Sequence, residues 1–291
     1  VWWSSVVVLL TTGCNVIFPV QGPDSSQDAA TPVPVDAERP LVPPDGATSC
    51  GPPPSFASWV YRERELDPIT DIKTPTFTGP DRVMFSDGTR LFEMQVDATS
   101  AAEVDALTLI DGSKVQFPGS APSGDMIWFN RSSANNAPSV GNYYARRDGA
   151  GWVATKLDFG ITALQMFVAN VGFHNGTARM IVTLEPTAGS GLRLVELESL
   201  DGVHWTPLAT LPFSTGMEFD IHPTIAADGC FVLFRHMTGE LMVAARGADG
   251  SFLAPEPIAP LMGTFGPAIN PLGNRLWAIK ADGRTIIDGH P

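Results

Sequence analysis

Asp220 and His222 stand two residues apart, a spacing that places a carboxylate and an imidazole on one face of an extended strand. Such a pair could grip a metal ion or a polar ligand, and here it sits just ahead of an apolar β-type run, residues 230–234 (CFVLF). His174 and His236 are isolated and point to no chemistry. Hydrolysis of a glycosidic bond needs two carboxylates facing each other, and Asp67, Glu185, Glu218 and Asp220 are the candidates. With 31 acidic residues against 18 basic ones, acidic loops are expected without catalysis, so no catalytic set, metal site or cofactor is assigned. The chain contains no Gly-x-Ser-x-Gly elbow, P-loop or His-Glu-x-x-His.

The net charge of −13 argues against a nucleic-acid partner, because phosphate binding needs clustered Lys and Arg. It argues equally against electrostatic docking on anionic lipid. A membrane attachment must then be covalent or hydrophobic, and the folded part is expected to be a monomer.

Three cysteines, Cys14, Cys50 and Cys230, form no CxxC and no zinc spacing. Residues 1–10 (VWWSSVVVLL) are apolar and uncharged, too short to span a bilayer but suited to the h-region of a signal peptide. The chain begins without Met, as a fragment lacking its first residues would. Thr12 and Gly13 before Cys14 resemble a bacterial lipobox, which implies lipidation of Cys14, although Thr11 stands where Leu is most common. The alternative is an ordinary signal peptide with a coincidental Cys. Residues 1–13 are thus expected to be signal. Residues 14–54, rich in Pro, Asp, Ser and Ala, are expected to be a disordered tether that cannot offset its ordering entropy. In an oxidising compartment Cys50 and Cys230 could pair; otherwise Cys230 is a small buried hydrophobe and Cys50 a free thiol in the tether.

From residue 55 onward short β-type runs appear, each after a Gly- or Asp-containing turn: Val83-Met84-Phe85, Met126-Ile127-Trp128-Phe129, Met180-Ile181-Val182, Phe231-Val232-Leu233-Phe234 and Leu276-Trp277-Ala278. Only residues 100–109 hint at a helical period. Asp-Gly dipeptides recur at Asp87-Gly88, Asp111-Gly112, Asp148-Gly149, Asp201-Gly202, Asp228-Gly229, Asp249-Gly250 and Asp282-Gly283. Asp-Gly supplies the positive φ of tight hairpins, so these are read as structural turns between antiparallel strands. Aligning the runs gives a unit of roughly 45 residues, the length of a four-stranded propeller blade.

Residues 222–261 (HPTIAADGCFVLFRHMTGELMVAARGADGSFLAPEPIAPL) resemble the WD40-like repeat of TolB-type propellers, common in exported bacterial proteins. Ala227 replaces that family's usual Ser and Met242 its usual Trp. The stretch Ser199-Leu200-Asp201-Gly202-Val203-His204-Trp205 resembles the Asp-box of sialidase-type propellers, a structural turn and not a catalytic motif. A sialidase would also need an arginine triad and a Tyr nucleophile. Arg179, Arg193 and Arg235 are present, but the early Arg-Ile-Pro motif is missing and Tyr61, Tyr143 and Tyr144 lie in unsuitable contexts. The resemblance covers residues 56–291 and implies architecture more than activity.

The expected fold is therefore all-β: a propeller of five four-stranded antiparallel blades over residues 55–291, starting near Pro75, Pro122, Val171, Pro223 and Pro267. Six blades are possible if residues 100–116 hide a degenerate unit. The last blade is one strand short, and residues 59–72 could supply an outer strand that closes the ring and removes an open edge. The expected function is a lipid-anchored cell-envelope scaffold, on the outer membrane and facing periplasm or exterior, that binds an envelope protein or a glycan without catalysis. The alternative is a carbohydrate-active propeller, a glycosidase or sialidase-like enzyme.

Overall fold

A computed structural model describes residues 41, 50–66, 69, 71–104, 114–132, 141–149, 151–157, 159–161, 165–167, 169–187, 189–214 and 221–291. Cys14, Asp67, Asp111, Gly112, Glu218 and Asp220 lie outside the described residues.

Five antiparallel sheets are arranged in a ring, the architecture of a five-bladed β-propeller. Blade 1 comprises β2 (Lys73–Phe77), β3 (Arg82–Ser86), β4 (Leu91–Gln95) and β5 (Ala102–Glu103). Blade 2 comprises β6 (Lys114–Ser120), β7 (Met126–Ser132), β8 (Gly141–Asp148) and β9 (Gly151–Leu157). In blade 3 the innermost strand is split into β10 (Gln165–Phe167) and β11 (Val171–His174), and both halves pair with β12 (Thr177–Glu185). β13 (Arg193–Ser199) and β14 (Thr206–Thr210) complete that blade. Blade 4 runs β15 (Ile221–Ile225), β16 (Phe231–Arg235), β17 (Leu241–Ala245) and β18 (Glu256–Pro257). Blade 5 takes β19 (Thr264–Ile269), β20 (Leu276–Lys280) and β21 (Thr285–His290) from the C-terminus, and its outer strand β1 (Val60–Glu65) from the other end of the folded chain. The register runs from Val60 opposite His290 to Glu65 opposite Thr285. The blade that lacks a strand in sequence is completed by the segment expected to do so.

The apolar runs do not alternate with polar residues, and the ring explains why. Each second strand is covered on both faces by neighbouring blades, so Phe231, Val232, Leu233 and Phe234 are all buried. Val232 and Phe234 point into a cluster with Ile181 and Leu194 of blade 3. Phe231 and Leu233 point the other way, towards Leu276 and Ala278 of blade 5. The outer strand β14 is exposed at every position, and its composition is correspondingly mixed.

Two expectations of register are corrected. Pro122 does not start blade 2: it lies in the hairpin turn after β6, where Gly124 N–H donates to Ala121 O as Gly229 N–H does to Ala226 O. Pro118 is the true counterpart of Pro75, Pro223 and Pro267. A sixth blade does not form, because Ala102–Glu103 is the outer strand of blade 1 and Lys114 already begins blade 2.

The end of the expected tether is bound to the domain. Cys50 and Cys230 form a disulfide with Cα atoms 5.2 Å apart, which resolves the alternative left open by the sequence. Leu41 packs against the core shared by blades 2 and 3. After the disulfide, a 3-10 turn, Phe56–Ser58, seats Phe56 on Phe231 and Trp59 before β1 enters the sheet.

Candidate functional site: the axial cavity and its supporting turns

Every innermost strand carries one extra residue midway, a bulge that re-aims side chains. Register shifts fall between Lys73 and Thr76, Gln116 and Gly119, Ile221 and Thr224, and Phe265 and Ala268. At four of these sites the bulged residue has positive φ and precedes proline: Thr74 (34°), Phe117 (53°), His222 (54°) and Gly266 (56°). Positive φ is costly for any residue with a Cβ, and only Gly266 meets it freely. His222 was expected in extended backbone, paired by alternation with Asp220; instead it occupies the bulge of β15, where alternation fails.

The bulges meet on the ring axis. Phe117 of blade 2 stacks on His222 of blade 4 with ring centroids 5.7 Å apart, and Phe265 of blade 5 lies 6.3 Å from His222. Beside this cluster is a cavity of about 20 Å³ lined by Thr74, Thr76, Phe117, Asn170, His222 and Thr224 together with prolines 75, 118, 223 and 267. Among the described residues no carboxylate lines it. Burial pushes the His222 imidazole down to about 4, and the charges of Arg235 and Lys73 act in the same direction. The ring is therefore neutral at neutral pH.

Around the cavity the blades are tied by buried polar contacts. Asn170 Nδ2 donates to Ile225 O, while its Oδ1 accepts from Thr224 Oγ1 and from the Ile225 N–H, joining blades 3 and 4. Thr76 and Ser120 hydroxyls meet at 3.2 Å between blades 1 and 2. Two glycines permit backbone to touch backbone: a Cβ on Gly119 would stand 1.9 Å from Ala169 O, and one on Gly172 would stand 2.0 Å from Ala226 O.

The Asp-Gly turns have the geometry their sequence implies. Gly88, Gly149, Gly202, Gly229, Gly250 and Gly283 all have positive φ. Asp87 Oδ1 accepts from the N–H groups of Thr89 and Arg90, Asp249 Oδ1 from Ser251 N–H, and Asp228 Oδ1 from Cys230 N–H. In the Asp-box-like turn, Asp201 Oδ1 accepts from the N–H groups of Val203 and His204, and its Oδ2 lies 2.6 Å from His204 Nδ1. Burial alone would raise the Asp201 carboxyl, but the bonds from His204 and Val203 outweigh it and hold it near about 2. Gly202 O accepts from Trp128 Nε1 and Trp205 Nε1, so this turn stitches blade 3 to blade 2.

Among the described residues, those weighed for hydrolytic chemistry do not converge; of the four candidate carboxylates only Glu185 is described. Arg179 lies near the start of its strand and pairs with Glu198, whereas Arg193 and Arg235 lie at the opposite end of their blades. Tyr61 Oη donates to Phe56 O, and burial pushes its phenol up to about 12. Tyr143 and Tyr144 are buried. Glu185 Oε1 accepts from Gly189 N–H in a surface turn. His174 lies near Cys50, and His236 bonds Thr238 in a hairpin. Sequence reasoning missed Thr74, Phe117 and Asn170. The signal for the first two was present as Thr74-Pro75 and Phe117-Pro118, each matching His222-Pro223.

No protein-family model matches this chain, and no curated protein matches it. Among solved structures, the GH32 beta-fructofuranosidase of Bombyx mori superposes with a TM-score of 0.55 at 9% identity, over 79% of this chain and 61% of its own. An ancestral GH74 enzyme gives a TM-score of 0.40 at 10% identity over 74% of this chain and 33% of its own. The Cps50 (Swd1) β-propeller domain of Myceliophteria thermophila gives 0.43 at 8% identity over 80% of this chain and 100% of its own. This chain thus spans about a third of the GH74 enzyme's length and about three fifths of the fructofuranosidase's. At these identities the likeness is one of fold. The class is a five-bladed β-propeller, a fold that by itself does not fix function.

Proposed function

We propose that this protein is a TolB-like propeller of the bacterial cell envelope, anchored through a lipid on Cys14, that binds an envelope protein or glycan without transforming it. The observation that carries the non-catalytic reading is the axial centre, where innermost strands of all five blades meet. Here aromatic rings, prolines, threonines and Asn170 surround a small cavity, and no carboxylate is among its described lining residues. Export is supported separately by the Cys50–Cys230 disulfide, a bond that persists in oxidising compartments. An anchored domain with a tether ahead of it would present its loops at a distance from the lipid.

Fractionation tests the anchoring. Expressed from the full-length gene, the protein should partition into detergent and accumulate as precursor under globomycin, and Cys14→Ser should release it. Soluble, unmodified wild-type protein in the periplasm would refute it.

A further inference from the structure

We propose that Cys50–Cys230 is an exchangeable disulfide that a dithiol enters at Cys50, with His174 donating a hydrogen bond to the Cys50 sulfur when it is released. The two sulfurs have contrasting surroundings. Cys230 is only 5% exposed, whereas Cys50 is half-buried and is followed by the exposed Gly51 and Pro52. An attacking thiolate must reach one sulfur of the bond, and exposure selects Cys50.

His174 sets the chemistry of that sulfur. Its Nδ1 lies 3.9 Å from Cys50 Sγ, and its Nε2 lies 3.3 Å from Asn175 Nδ2. An amide nitrogen only donates, so Nε2 is the acceptor and the imidazole proton sits on Nδ1, on the side of the sulfur. Burial first, then the charges of Arg246 and Arg179, push the imidazole down against the opposing Glu196 and Asp228. The ring is therefore neutral at neutral pH, with one N–H to give.

Cys230 faces a different group. Its Sγ lies 3.6 Å from Asp228 O, a carbonyl that accepts from a thiol and repels a thiolate. Once reduced, the pair is polarised: Cys50 is favoured as thiolate and the buried Cys230 as thiol.

A thiolate of the dithiol attacks Cys50 Sγ, the S–S bond breaks, and its electron pair leaves on Cys230, which takes up a proton. The second thiolate of the reagent then attacks the reagent's own sulfur in the mixed disulfide and expels Cys50 as a thiolate, which accepts from His174 Nδ1–H. Two electrons pass to the protein, and the dithiol becomes a disulfide. In the reverse direction Cys50 is the nucleophile and Cys230 the resolving thiol. The bond ties the chain ahead of Phe56 to blade 4, so exchange releases that segment while β1 keeps its pairing with β21.

Glutathione, a monothiol that stops at the mixed disulfide, tests the point of entry. The oxidised full chain, treated under native conditions, quenched with N-ethylmaleimide and mapped by mass spectrometry, should carry glutathione on Cys50. In Cys230→Ser, the pH dependence of iodoacetamide alkylation, read on the Cys50 peptide, should have a midpoint at least one unit below the usual value of about 8.5. His174→Phe in that background should raise the midpoint by about one unit, a tenfold loss of thiolate at low pH. Glutathione on Cys230, no adduct until denaturant is added, a Cys50 midpoint at or above the usual value, or one unmoved by His174→Phe would each overturn the assignment.

Discussion

Arg246 and Glu196 form an ion pair across blades 4 and 3, with Nη2 2.7 Å from Oε1 and side-chain exposures of only 2% and 10%. The same guanidinium donates from Nε to Gly229 O and from Nη1 to Gly250 O, and it covers the Phe252 ring at 4.1 Å. One arginine thus fastens two Asp-Gly turns of its own blade to the neighbouring blade. Arg147 does related work in blade 2, reaching Glu93 of blade 1 at 2.9 Å and lying 4.5 Å over Trp152. Removing one member of a buried pair strands the other, so Arg246→Met should cost about 3–5 kcal/mol. Lys280→Ala, which breaks an exposed pair with Glu63, should cost less than about 1 kcal/mol. Urea midpoints of the two variants check this, and similar midpoints would show that Arg246 is not a tie between blades.

Glycine substitutions separate local strain from blade contact. Gly149 has φ 57° with nothing within 4 Å of an added Cβ, so Gly149→Ala should cost about 1–2 kcal/mol, the left-handed penalty alone. At Gly172 the new Cβ would meet Ala226 O at 2.0 Å, and blades 3 and 4 would have to part. Gly172→Ala should cost about 3 kcal/mol or more. Equal denaturation midpoints would contradict the close approach of the two blades.

The disulfide closes a loop with a sequence separation of 180 residues and holds the chain just before the strand that completes blade 5. On the chain-entropy model such a crosslink contributes up to about 5 kcal/mol. Reduction, or the double change Cys50→Ser with Cys230→Ser, should lower the unfolding midpoint substantially. Peptide mapping without reductant should recover the two cysteines in one linked fragment, and two free thiols would contradict the pairing.

The pH dependence of stability carries the signature of His222. Its imidazole titrates at about 4 when folded, against about 6.5 in an unfolded chain. Between those values the unfolded state binds the extra proton. The neutral ring's contribution is therefore complete above about pH 6.5 and is lost as pH falls towards 4. The difference amounts to about 3 kcal/mol. Asn tolerates left-handed backbone, so His222→Asn should keep the fold while flattening this slope. Denaturant midpoints measured from pH 4 to 7.5 decide it, and an identical slope in the variant would rule out His222 as the titrating group.

Sequence made the ring legible because its signals are local. Asp-Gly fixes a turn, and Phe231-Val232-Leu233-Phe234 fixes a strand covered on both faces. The missing strand of the last blade then followed from the need to hide an edge. The axial centre was less legible because it depends on residues from different blades meeting, as Phe117 and His222 do. Pro122 is ambiguous in sequence, since proline suits a hairpin turn as well as a bulge, and only the strand register distinguishes them. Asn170 carries no local signal: its value lies in three bonds to the next blade.

The central claim, a propeller that binds without turnover, is tested most directly by incubating the purified protein with isolated envelope polysaccharide and peptidoglycan, and measuring both the bound fraction and the chain length of the glycan. The account predicts saturable retention on a glycan, or on a protein attached to it, with chain lengths unchanged over hours. Shortened chains or released reducing ends, abolished by replacing a carboxylate such as Glu185, would contradict it and make this propeller an enzyme.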